Sequence, residues 1–124
     1  MDVAMVTARG LVPTLPISIA MAAGVPIISA VTYTTSELLE DRHTALMVPS
    51  PNPKILAKRV TELYDDAQLQ WSISDMARTE AYEYFPLTKF ISQYRGVYRQ
   101  VAAGQPIEPP EQAAGAGLRF HGRA

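Results

Sequence analysis

Three short stretches of the chain are apolar without alternation: Val3 to Val6, Pro26 to Ser29 and Ala45 to Val48. Continuous runs of this length are what a parallel strand covered on both faces displays, so each is predicted as a buried strand. Between the first two, Thr14 stands as an N-cap ahead of Leu15 and Pro16. The apolar stretch Ile17 to Ala23 follows, with Gly24 as a C-terminal stop. That helix is apolar nearly all round, which predicts a sandwiched position. A shorter helical turn is expected over Thr35 to Glu40. Alternating strands and helices imply parallel strands joined by right-handed crossovers. The fold class expected is α/β, a partial Rossmann-like parallel sheet of about three strands flanked by helices, with a helical C-terminal half.

In that second half the apolar period lengthens. Residues 54–65 place Ile55, Leu56, Val60, Leu63 and Tyr64 on one helical face. Residues 67–84 do the same with Leu69, Ile73, Met76, Ala77 and Ala81. Pro86 forces a break after Phe85. From Leu87 to Val101 apolar side chains then recur at three- and four-residue steps, predicting a helix that packs along one stripe. Residues 104–124, rich in Pro, Ala and Gly, offer little to bury and are expected as a mobile tail, leaving 1–103 as one domain. Three strands are fewer than the five or six or so of a doubly wound sheet. Val3 to Val6 is therefore expected either to neighbour a strand outside this sequence or to leave an open edge that a protein partner could use.

Composition narrows the classes. A chain of 124 residues has room for one domain. Eleven Lys and Arg against 12 Asp and Glu give a net charge of −1, so no global field draws it to nucleic acid or anionic lipid. The absence of cysteine excludes disulfides, thiolate nucleophiles and cysteine zinc sites, and two histidines cannot build a histidine metal cluster. No metal and no cofactor are expected. The run from Gly10 to Ser36 is uncharged, but Pro13, Pro16, Gly24 and Pro26 divide it, and no basic segment precedes it as in a signal peptide. A membrane segment is not expected, and the location expected is cytoplasmic.

Several segments then align with a known family in order and spacing. Asp2 to Val6, Ala-Met-Ala-Ala-Gly-Val-Pro-Ile-Ile over 20–28, Ser36 to Asp41 and Thr44 to Pro49 resemble retaining, nucleotide-sugar-dependent glycosyltransferases of the two-Rossmann-domain, group 1-like type. They are similar to the closing half of that family's C-terminal domain. The resemblance continues through Asn52-Pro53 to about Val101, which is only the last quarter or so of a typical member. It implies a donor-binding domain that helps move a sugar from a nucleoside-diphosphate sugar to an acceptor. The nucleoside-diphosphate sugar is then the expected small-molecule partner.

The family's site does not carry over intact. Its members hold two glutamates with seven residues between them, the first facing donor-sugar hydroxyls and the second the ribose; without a gap these positions are Leu11 and Ile19. A Gly and a Pro that follow the first glutamate fall on Val12 and Thr14, and two glycines fall on Tyr33 and Thr34. No catalytic residue is therefore assigned. What can survive is backbone chemistry, because a helix N-terminus offers free N–H groups to a phosphate. With ligands expected beyond the carboxyl ends of the strands, the nucleotide-sugar contacts assigned are Arg9, Gly10, Thr14, Leu15 and Glu37. Arg9 is the candidate for the diphosphate, and Glu37 matches a family glutamate. Two functions follow: a donor-binding portion of a glycosyltransferase, inactive as an isolated chain, or a non-catalytic domain that kept the fold and serves as an interaction module. His43 reads as part of a charged turn, and Thr34 and Thr35 as helix-capping residues. The tyrosines and arginines of 78–99 read as core packing with a solvated rim.

Overall fold

The computed structural model describes residues 2–49 and 52–106. They form two units, one ending at Tyr84 and one beginning at Phe85. In the first, β1 (Ala4–Val6), α1 (Thr14–Ala22), β2 (Ile27–Ala30), α2 (Tyr33–Leu38), β3 (Leu46–Val48), α3 (Pro53–Asp65) and α4 (Ala67–Tyr84) follow in chain order. The strands are parallel in the order β1-β2-β3, with Met5 opposite Ile28 and Ile28 opposite Leu46. The expected α/β sheet with flanking helices is what forms.

Strand alternation divides the interior in two. Ile27 and Met47 point to one face, where they meet Ile17 and Met21 of α1 and Ala77 and Ala81 of α4. Ile28, Leu46 and Val48 point to the other, against Leu63 of α3 and Ile73 of α4. Helix α4 thus supplies both cores from successive turns. On β1 the two faces differ: Ala4 and Val6 pack into the first core, while Met5, on the α3 side, is 48% exposed. Val3 to Val6 was expected to be buried on both faces. It is half-buried because α3 packs mainly on β2 and β3 and because β1 edges the described sheet.

The opposite edge is guarded. The backbone N–H of Met47 in β3 donates to Asp41 Oδ1 at 2.8 Å, and Arg42 N–H donates to the Ala45 carbonyl at 2.8 Å. Arg42 takes a left-handed φ of 60° to make this turn.

Helix boundaries differ from expectation in ways that have causes. Thr14 is the first residue of α1 and not its cap; Pro13 holds the N-cap position and no side chain caps the helix. Gly24 does end it, at φ +67°. Nor is α1 sandwiched, since only Ile17 and Met21 are buried, while Leu15 and Ile19 are 68% and 59% exposed. One side of α1 packs on α4 and the sheet, and the side bearing Leu15 and Ile19 is left open. Helix α2 begins two residues early because Thr32, not Thr34 or Thr35, adopts the extended backbone of a cap. Tyr64 and Met76 fall off the buried stripes of α3 and α4.

The second unit contains α5 (Leu87–Ala102), entered from Pro86. Its apolar stripe is where the periodicity puts it, yet none of its residues is buried. Of the expected tail, residues 107–124 lie outside the described residues.

Candidate functional site

Parallel neighbours β1 and β2 release the chain at the same end of the sheet, so residues 7–11 and 31–34 share that end. The turn leaving β2 is tightly specified. Thr32 Oγ1 accepts from the Thr35 backbone N–H at 3.1 Å, and Thr35 Oγ1 accepts from the Thr32 N–H at 2.9 Å, a reciprocal capping box. Thr35 Oγ1 also donates to the Ala30 carbonyl at 2.8 Å, tying the helix start to the strand end. Buried Thr35 is thus fully used as structure, and Thr34 is not the cap.

The residues assigned to nucleotide-sugar contact fall into two groups. Arg9, Gly10, Thr14 and Leu15 lie along one exposed stretch between β1 and the first turn of α1. Arg9 makes no ion pair or hydrogen bond among the described residues, which leaves its guanidinium to solvent or a ligand. Gly10, at φ +87°, turns the backbone with nothing near the place a Cβ would take. Glu37 stands one helical turn after Tyr33; hydrogen bonding with it first, then its charge and slight desolvation, raise the Tyr33 phenol above its ordinary pKa.

Helix α1 is a poorer anion cradle than its position suggests. Of the backbone groups left unpaired at a helix start, those of Pro13 and Pro16 have no N–H, so only Thr14 and Leu15 can donate. Leu11, 94% exposed, and Ile19 present hydrocarbon to solvent on the same stretch. Chemically, the α1 side of this end offers the Arg9 guanidinium, the backbone N–H groups of Thr14 and Leu15, and an apolar surface.

Sequence reasoning missed a charged network on the other side of the turn. Arg59 bonds Glu62 at 3.1 Å and Asp41 at 3.4 Å, and Arg42 bonds Glu62. Partial burial pushes the Glu62 carboxyl up, but the bonds and charges of Arg59 and Arg42 outweigh it and leave its pKa lowered. His43 lies 3.5 Å from Glu80 of α4, so it joins a turn to a helix, in keeping with a charged turn. Among the described residues no group of three or more acidic or histidine side chains is placed to hold a metal ion.

Residues 15–80, more than half of the chain, match the family model described as glycosyl transferases group 1. The chain belongs to this family. The match runs from the first turn of α1 to Glu80 in α4, so this glycosyl transferase unit includes β2, β3 and the capped turn after β2. Sucrose-phosphate synthase from Thermosynechococcus elongatus is similar in structure, with a TM-score of 0.78 and 22% identity over 84% of this chain. The likeness is one of fold. The chain spans 26% of the length of that protein. No curated protein sequence matches it. No helix among the described residues is long and apolar enough to cross a membrane; the uncharged run of 10–36 is divided among α1, β2 and the start of α2.

Proposed function

We propose that this chain supplies the donor-facing portion of a nucleotide-sugar-dependent glycosyl transferase and is inactive by itself. The carrying observation is the family match over 15–80, laid on a sheet whose carboxyl end opens toward Arg9, Gly10 and the start of α1. A nucleoside diphosphate there would meet the Arg9 guanidinium and the N–H groups of Thr14 and Leu15. With two donors removed by proline, and with Leu11 and Ile19 where the family resemblance places glutamates, little holds the sugar or ribose. Binding should therefore be weak, in the millimolar range, where ΔG is about −4 kcal/mol.

The test is amide chemical-shift mapping of the ¹⁵N-labelled chain with uridine and guanosine diphosphates and their sugar conjugates. Shifts confined to residues 9–15 at millimolar nucleotide are expected, without sugar transfer. No shift at about 10 mM, which is roughly ten times a millimolar Kd, would remove the donor-binding reading.

A second reading has its own support. Leu11, Leu15 and Ile19 are all more than half exposed, and no charge lies between Gly10 and Ser36. Such a surface, beside β1 at the edge of the described sheet, suits a non-catalytic interaction module for a protein partner. This reading expects cooperative folding with every nucleotide unbound.

A further inference from the structure

We draw no further inference here: the strongest candidate, the exposed Tyr33 ring with Glu37 one turn after it on α2 at the carboxyl end of the sheet, belongs to the donor-facing site already described, and nothing in the structure shows what covers it.

Discussion

Replacing Leu63 with alanine tests the division of the interior into two cores. Leu63 is fully buried and joins α3 to Ile28, Leu46, Val48 and Ile73 on one face of the sheet. The substitution removes the equivalent of three methylene groups, worth about 2.4 kcal/mol in transfer at about 0.8 each, with a cavity penalty that can carry the loss toward about 5. A unit of this size holds about 4–13 kcal/mol in all. A fall of about 3 kcal/mol would lower the melting temperature by at least about 12 °C. Urea titration followed by circular dichroism measures the loss. Adding Ile73→Val, from the same core, should give a total that departs from the sum by at least about 0.5 kcal/mol. Adding Ile17→Val, from the opposite face, should be additive within about that amount. A loss under about 1 kcal/mol, or equal coupling of both partners to Leu63, would refute the two-core reading.

Two further outcomes follow from polar contacts. Because the Glu62 pKa is lowered in the folded chain, its stabilisation is complete above the unfolded carboxylate value of about 4.3 and is lost as pH falls through the folded value. Glu62→Gln should therefore lower the stability measured by urea titration at pH 7, by on the order of 1 kcal/mol, and the difference should shrink as pH falls below about 4.3; a constant difference down to acid pH would contradict the assignment. Thr32→Ala removes the cap of α2 but leaves Thr35 bonded to Ala30. It should cost about 1 kcal/mol by thermal melting, and no change would mean that the cap is redundant.

Much of the fold was legible because it rests on local patterns. Continuous apolar runs marked all three strands within a residue or two, and the three- and four-residue steps marked α3, α4 and α5. What the pattern could not convey was whether a partner lies opposite each apolar surface. Hydrophobicity states what Leu15, Ile19 and Phe90 would lose to water, and all three are exposed. The capping threonine was misplaced for a related reason: three threonines stand within four residues, and the extended backbone that makes Thr32 the cap is set by how β2 leaves the sheet. The Asp41, Arg59 and Glu62 network joins residues up to 21 apart through the packing of α3 beside the turn, which no spacing rule encodes.

Where the candidate residues would lie was legible from the order of strands and helices. Arg9, Gly10, Thr14 and Leu15 are exposed between β1 and the first turn of α1, whereas Glu37 stands one turn after Tyr33 on α2. Pro13 and Pro16 were visible from the start as punctuation. Their second effect, halving the donors at the start of α1, emerges only once Pro13 is placed at the cap position and Pro16 two residues into the helix.

The guarded edge of β3 limits what edge-to-edge assembly this sheet can undergo. Strand addition propagates into a fibre only when every added unit offers a fresh free edge. Here Asp41 occupies the Met47 N–H and Arg42 occupies the Ala45 carbonyl, so a strand arriving on that side finds those groups taken. Any strand addition is left to the other edge of the described sheet, β1. A carboxylate and a peptide N–H from one surface turn thereby act as terminators, closing β3 to a strand that would otherwise extend the sheet from that side.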